Sequence, residues 1–591
     1  MAPPILPISR NEFAHFFKQC TPPSGWQKTV AVAHSAGADS TCLLFLIRQL
    51  VGTPGLPRMM HSFYVNHGFQ EANDEMQRVA RKTANRLHAT PHALSIPWDT
   101  PPFPPKPHEG EPSEMIARDA RYRVLFNGMR EAGARIIAFG QHADDQAETA
   151  LMRWAYGSSP LGLAGTRRIR RWGMGNGRSE EDVDYYGMEG MNMWIIRPLL
   201  SFSKDRILAT CEANKLHYVE DPTNFQPSHT LRNEIRGYLS RLRDWQDPRE
   251  LDSDPQKAVS APSPTVGKAL RQRLQLIRPD NRTRPPFPLD LHGNVQDMHN
   301  SIRELAFRFD DVETQVSAAL ARTTVHSPPG TILLASGAHL SSINPELVRQ
   351  ALVMRVLRAV SPEPWGSPAS QANRRTDSIR RIAQRIFTPY DQLPVEQRRP
   401  IMGGSSVIWQ PMRICSDGSL RHFIKSYLAQ DGVDKFGMKA GDRVGWLASR
   451  AKPLAWAKDN KPVDISSSIL DAHDHWSQQS QPDPDAVHEV LWDKRFAVRI
   501  RLARAPDTLF DNLRYGARVL VIPEGAWWWP RVVLVQPHTK EVLLARIGAE
   551  EMRWMPDYTR LRGMLGMTEE VQDVEGKSWM DFKFSRPLDA L

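Results

Sequence analysis

The sequence predicts an α/β protein: a parallel-sheet catalytic domain, then a mainly helical domain, then a β-containing C-terminal domain. Three observations lead there. From Thr29 to Ala138 short apolar runs alternate with helical patterns, the rhythm of βαβ units. Proline, aspartate and serine then crowd around Asp247 to Pro264, and proline again around Pro285 to Pro288, which marks a linker. Beyond it, helical spacing gives way to strict alternation. The 591 residues suffice for several buried cores, and 41% hydrophobic with 24% charged residues is ordinary globular composition. No apolar run of about 18 residues is present to span a bilayer, so no membrane partner is expected. An excess of 76 Lys+Arg over 66 Asp+Glu leaves a net charge of +10, which favours a polyanionic partner such as RNA.

Residues 1–28 read as an N-terminal extension, without the long apolar stretch of a secretory signal. The α/β domain occupies 29–242. Its expected strands are Val30 to Ala33, Ser62 to Val65, His92 to Ile96 and Arg135 to Phe139; between the first two, Cys42, Leu43, Leu46, Ile47 and Leu50 recur at helical spacing. Prolines between Pro97 and Pro112 describe an extended loop. Residues 167–192 mix glycine, methionine and charge without periodicity and read as a surface insertion, and 243–292 is the linker.

In the helical domain, 293–430, Ile302, Leu305, Phe309, Val312 and Val316 predict one helix, and Val348, Leu352, Val356 and Leu357 another. A third, Thr376 to Phe387, puts Ile379, Ile382, Ala383 and Ile386 on one face with Arg380, Arg381 and Arg385 largely opposite. Those arginines suit RNA phosphate or a plain solvated face. In the last domain, 431–591, the alternation Phe496, Val498, Ile500, Leu502 and the run Val532 to Val535 predict strands; Trp527, Trp528 and Trp529 are expected to anchor a β core or turn rather than stack on bases. Cys20, Cys42, Cys211 and Cys415 lack the paired spacing of zinc or cluster ligands and are expected to be reduced thiols.

Two constellations carry chemistry. Ser35, Ala36, Gly37, Ala38, Asp39 and Ser40 follow the first strand and precede an amphipathic helix. Small residues let backbone N–H groups approach phosphate oxygens, the helix N-terminus adds positive partial charge, and two hydroxyls can donate further bonds. The loop has neither the Gly-Lys-Ser/Thr ending of a Walker loop nor a dinucleotide fingerprint. The second constellation runs from Gly140 through His142, Asp144, Asp145 and Glu148 to Thr149, after the strand ending at Phe139. On a helix Asp144 and Glu148 are four apart and Asp145 and Glu148 three apart, so carboxylates share a face. Acidic capping of a helix N-terminus is the competing explanation. Acids and a histidine at the carboxyl edge of a parallel sheet, where such folds bind ligands, favour a site.

The first motif resembles the Ser-Gly-Gly-x-Asp-Ser loop of the PP-loop, or N-type, ATP pyrophosphatases, and the second is similar to the His-x-Asp-Asp-Gln-x-Glu-Thr segment of the tRNA(Ile)-lysidine synthetases within that superfamily. Between them, Val65 to Phe69 resembles that family's Val-Asp-His-Gly-Leu, and Ala117 to Tyr122 its Ala-Arg-x-x-Arg-Tyr. The likeness continues through Leu161 to Gly165, Arg197 to Leu200, Glu220 to Asn224 and Arg232 to Arg236. In two places the chain departs from the pattern. Ala36 replaces a loop glycine, which questions whether the loop can take positive φ, and Asn66 replaces an aspartate.

The resemblance implies a Rossmann-like catalytic domain of the adenine nucleotide alpha hydrolase type. It implies a two-step reaction with ATP as co-substrate and Mg2+, on the wobble cytidine of tRNA(Ile) with a CAU anticodon. ATP adenylates the C2 oxygen, releasing pyrophosphate; free L-lysine then displaces AMP through its ε-amine. Residues 35–40 and His67 would bind the nucleotide, with Asp39 positioning magnesium, and Arg118 or Arg121 would offset charge at the α-phosphate. A lysine amine is neutral in only about one molecule in a few thousand at pH 7, so attack needs a base: Asp144 or Asp145, with His142 as alternative shuttle and Glu148 orienting the substrate. Arg232, Asn233 and Arg236 would meet RNA phosphate or close the site. A tRNA thiolase is the enzymatic alternative and a tRNA-binding pseudoenzyme the other. The proline-rich insertions and large C-terminal addition suggest a eukaryotic, fungal-like member and a mitochondrial location, and a homodimer is an admissible assembly.

Overall fold

The computed structural model describes residues 4–68, 72–108, 114–155, 160–172, 180–219, 235–236, 295–365, 367, 369–370, 376–423, 438–452, 462–525, 527–536, 541–547, 579–586 and 588. Arg232, Asn233, the 220–224 motif and the linker lie outside these residues. The chain divides into two compact units: Met1–Trp172 with Asn192–Asp311, and Gly173–Met191 with Val312–Ala590.

The first unit is built on a six-stranded sheet. Its strands are β1 (Thr29–Ala33), β2 (Met59–Asn66), β3 (Thr90–Ser95), β4 (Ile136–Ala138), β5 (Ile169–Arg171) and β6 (Trp194–Ile196), in spatial order β3-β2-β1-β4-β6-β5. Every pairing is parallel except that of β5, which runs antiparallel to β6. β1 reads Thr-Val-Ala-Val-Ala because a central strand is covered on both faces; Val30 and Val32 are fully buried. The helix α2 (Ala38–Arg48) buries Cys42, Leu43, Leu46 and Ile47 on this sheet, as their spacing predicts. Each such aliphatic side chain contributes about 1.5–3 kcal/mol relative to exposure.

Residues 10–18, expected in an extension, form the helix α1 (Arg10–Lys18), capped by Ser9 Oγ, which accepts from the Glu12 N–H at 3.3 Å. Phe13 and Phe17 are fully buried in the same core as Val30, Leu46 and Ile47, and Phe17 stacks on Trp26 at 4.5 Å. The core of the first unit therefore begins before residue 29. A stripe of two phenylalanines four residues apart is too short to announce this from sequence. The expected surface insertion at 167–192 is corrected in the same way: its start supplies β5 and the buried Trp172, and its end buries Met188 and Met191. Three-residue strands carry no readable period.

In the second unit the helices fall where periodicity put them, at Val295–Thr323 (shared with the first unit), Glu346–Val360 and Thr376–Phe387. The strand Val407–Ile414 pairs antiparallel with Arg443–Arg450 over eight residues, and the latter pairs with Ile332–Ala335. One sheet thus spans the expected boundary at 430/431, and the helical segment contributes strands to it. Gly445 is required there, since a Cβ would stand 2.9 Å from both Ile414 and Leu333 side chains. Phe496–Arg501 pairs with Val487–Trp492 and Met580–Phe584, and Trp529–Val535 with Arg518–Glu524 and Val542–Arg546. Trp527, Trp528 and Trp529 are buried, and Trp529 Nε1 donates to the Pro329 carbonyl at 2.8 Å, so they anchor the core. Among the described residues no helix is long and apolar enough to cross a membrane.

Candidate active site

β1 lies between β2 and β4, so the strand order reverses beside it, and the loops leaving the carboxyl ends of β1 and β4 face the resulting crevice. The first of these loops feeds α2. Gly37 caps that helix without a side-chain acceptor, which leaves first-turn N–H groups for a ligand. Ser40 Oγ donates to the Gly37 carbonyl at 3.1 Å, accepts from the Ser35 N–H at 3.1 Å, and lies 3.2 Å from Ser35 Oγ. Gly140, from the second loop, is pressed against this turn; a Cβ there would stand 3.1 Å from the Asp39 carbonyl carbon and 3.2 Å from the Ser40 nitrogen. Ala36 does take positive φ, +64°, while fully buried beside Tyr64, Val79 and Ala80, and its carbonyl accepts from the Val219 N–H at 3.0 Å.

The second loop starts the helix α5 (Ala143–Ala155). Asp145 Oδ2 accepts from the His142 N–H at 3.0 Å, so this residue does cap its own helix. Asp144 instead accepts from the backbone N–H of Lys204 at 2.8 Å, capping the distant helix α8 (Lys204–Ala213). Its other oxygen faces His299 Nε2 at 3.6 Å. Burial works to raise the Asp144 carboxyl, but His142, His299 and the Lys204 N–H hold it well below the usual carboxylate range.

His142 joins the two loops. Its Nε2 is 3.6 Å from both Asp39 Oδ1 and Asp145 Oδ2, and its Nδ1 is 3.3 Å from both the Asp144 nitrogen and Asp144 Oδ2. Burial opposes charging the ring, but Asp145, Asp144 and Asp39 together push it up to about 9. The protonated ring is then favoured at neutral pH, so the carboxylate contact prevails at Nδ1. An imidazolium has no lone pair, so as a shuttle His142 would first pass a proton to one of the carboxylates beside it.

Glu148, one turn further along α5, is buried and gripped by the Arg236 fork, Nε to Oε1 at 2.9 Å and the second nitrogen to Oε2 at 3.4 Å. Arg236, expected on RNA phosphate or closing the site, thus places its guanidinium on Glu148 while staying 43% exposed. On the helix α4 (Glu114–Glu131), Arg118 lies over the Tyr122 ring at 5.6 Å, and Tyr122 stacks on Phe139 at the end of β4. Burial would raise this phenol, yet Arg118, Arg170, Arg197 and Arg121 bring it down to about 8. The pair predicted at 118 and 121 therefore belongs to a larger cationic cluster suited to an anion.

His67 sits past the carboxyl end of β2, its carbonyl accepting from Trp98 Nε1 at 2.8 Å, and burial with the nearby Arg121 brings it down to about 4, a neutral ring. Asn66 accepts the Gly68 N–H on Oδ1 at 2.8 Å, a turn bond that an aspartate could also make.

Sequence reasoning missed Lys204, Arg197 and His299 as members of this site. Lys204 Nζ lies 2.6 Å from Asp39 Oδ1. Arg197 donates to Gln141 Oε1 and, at 2.9 Å, to the Arg167 carbonyl. Arg197 directly follows β6 and Lys204 opens a helix, so each was findable as a cation at an element's end; His299 comes from beyond the linker and gives no local signal.

The open helix end, the paired serines and the close approach at Gly140 fit the phosphates of ATP. Asp39 fits as the one protein carboxylate on a magnesium ion that takes its remaining ligands from phosphate and water, where it would supply counter-charge for leaving pyrophosphate. Among the described residues no cluster of three or more His, Cys, Asp or Glu forms a metal site.

In the second unit, Arg380 is engaged by Glu346 at 3.2 Å and Asp377 at 2.9 Å. Arg381 and Arg385 instead line a groove of about 370 Å³ with Ser378, Gln397, Ile401 and Met402.

The crevice and its loops belong to an α/β domain, and residues 6–242 match the family model described as the PP-loop domain. The chain is 30% identical to the tRNA(Ile)-lysidine synthase of Alkalilimnicola ehrlichii over 285 residues, 48% of this chain and 55% of that protein. It is 35% identical to that of Methylobacterium nodulans over 237 residues, 40% of this chain and 60% of that protein. The match thus spans little more than half the length of these curated relatives. Among solved structures, the U34-tRNA thiolase of Methanococcus maripaludis overlaps 45% of this chain and 78% of its own at 16% identity, with a TM-score of 0.30.

Proposed function

We propose that this protein is an ATP-dependent tRNA-modifying ligase that joins free lysine to C2 of the wobble cytidine of tRNA(Ile) with a CAU anticodon, through an adenylated tRNA and with release of AMP and pyrophosphate. The observation that carries this reading is the meeting of a phosphate cradle, Ser35 to Ser40, with an acidic loop, Asp144 to Glu148, pinned together by His142 at one sheet edge. The first loop suits the leaving pyrophosphate and the second an amine that must arrive charged and react neutral. The names of the relatives matched by the first unit support the same reaction.

Within that reading the contacts divide the acids. Asp144 has both oxygens engaged, on α8 and on His299, and is a positioning residue. Asp145 is assigned to the lysine ammonium and its proton, and Glu148, held on both oxygens by Arg236, to orienting the substrate. Arg381 and Arg385 are assigned to tRNA, and the mitochondrion is the proposed compartment, which cell fractionation tests. For the thiolase alternative, Cys42 and Cys211 are buried, the latter donating weakly to the Ala38 carbonyl at 3.7 Å, an arrangement that favours packing over sulfur transfer.

The test is mass spectrometry of nucleosides after incubating the full chain with ATP, lysine and a CAU-anticodon tRNA(Ile). Lysidine formation that requires lysine and releases pyrophosphate is expected. A thiolated nucleoside, or binding of tRNA with no ATP turnover, would overturn the proposal.

A further inference from the structure

Lys204 opens α8 with its ends fixed differently. Its backbone N–H is tied to Asp144 Oδ2 at 2.8 Å, so its Cα is locked to the acidic loop. Its ammonium reaches across to Asp39 Oδ1 at 2.6 Å, in the first turn of α2. The two side chains are 29% and 33% exposed, so the pair faces the crevice rather than the core. A four-carbon stem between a fixed backbone and a half-open ion pair leaves the charged end free to move by a few ångströms.

We propose that Lys204 is a phosphate-contacting residue of the nucleotide site, parked on Asp39 until nucleotide and its cation arrive. The proposal rests on reading residues 35–40 as the cradle for ATP phosphates. A divalent cation on Asp39 takes the same carboxylate oxygen that the ammonium occupies, and like charges cannot share it. The displaced ammonium then lies beside a polyphosphate of opposite charge, seated on the turn from which Asp39 projects. The transfer costs the ammonium no ion pair, since a phosphate oxygen replaces a carboxylate oxygen. Asp144 gains a reason for its position: by capping α8 it sets where Lys204 starts from.

The alternative is that Lys204 only neutralises Asp39 in the absence of nucleotide, and the two ideas predict opposite signs. The experiment is calorimetric titration of the full chain, wild type, Lys204→Met and Lys204→Arg, with Mg-ATP, with Mg-pyrophosphate and with Mg2+ alone, without tRNA or lysine. Losing a charge-assisted phosphate contact should weaken Mg-ATP and Mg-pyrophosphate binding by about tenfold or more in Lys204→Met, with most of it recovered in Lys204→Arg. A methionine variant that binds pyrophosphate as well as or better than wild type, because Asp39 is freed for the cation, overturns the proposal. Far-UV dichroism and the unfolding midpoint identify a misfolded methionine variant; Lys204→Gln then takes its place, and unchanged pyrophosphate affinity in that folded variant is equally decisive. Wild-type protein that binds neither ATP nor pyrophosphate would instead defeat the reading of the cradle itself.

Discussion

Ala36 shows how a residue that breaks a local rule survives. A non-glycine residue in the left-handed region costs about 1–2 kcal/mol, and Ala36 sits there at φ +64°. Its methyl is also fully buried among Tyr64, Val79 and Ala80, and a buried methyl group contributes about 0.8 kcal/mol. The two effects nearly offset. Ala36→Gly is therefore expected to change the unfolding free energy by less than about 1 kcal/mol, measured by urea titration; a loss of several kcal/mol would show that the methyl organises the loop. The fork of Arg236 on Glu148 makes a second case. Because Arg236 is 43% exposed, removing it should cost less than the breaking of a fully buried pair, about 1–3 kcal/mol. A double-mutant cycle of Arg236→Gln with Glu148→Gln should show that coupling. Weaker tRNA binding by Arg236→Gln at unchanged stability would return Arg236 to the RNA.

Between elements, His34, just past the end of β1, ties that strand to β2 and to α2. Its Nδ1 is 3.0 Å from Ser62 Oγ on β2 and its Nε2 3.2 Å from Thr41 Oγ1 on α2. Burial lowers this imidazole to about 4, against 6.5 for an ordinary one. An unfolded chain thus takes up the proton near pH 6.5 while the folded one resists it until about 4. Stability is complete above pH 6.5 and is lost as pH falls through that window, by up to about 3 kcal/mol for a shift of this size. His67 shifts in the same direction and adds to the slope. Chemical denaturation from pH 7 to 4 should show this acid slope, and His34→Gln should flatten it; an identical slope in the variant would assign it to other groups.

At the scale of the whole molecule, a net charge of +10 makes tRNA binding salt-dependent wherever it occurs. The proposed assignment of Arg381 and Arg385, which line one groove, to tRNA would localise part of that effect. Replacing both with glutamine should weaken tRNA binding and reduce the slope of log K against log salt by about one to two units. Arg380→Gln should change neither, because that guanidinium already serves Glu346 and Asp377. Filter binding at several salt concentrations checks both, and equal effects of all three arginines would mean that the helix presents a diffuse basic face.

Local order alone determined much of this protein. The phosphate loop follows a strand and opens a helix because small residues permit the turn; Cys42, Leu43, Leu46 and Ile47 lie on the buried face of α2 because helical spacing puts them there; Asp145 caps α5 from within its own first turn. These features depend on neighbours a few residues away, so a sequence displays them. The partners of Asp39, Asp144 and Glu148 depend on chain segments brought together by strand order, and only the tertiary structure decided them. Lys204 meets Asp39 across 165 residues and Arg236 meets Glu148 across 88. The strand pairing of Val407–Ile414 with Arg443–Arg450 likewise crosses a boundary that local pattern had drawn. Periodicity reports which face of an element is buried; it carries no information about which distant charge will stand opposite, because that is set by the packing of whole elements.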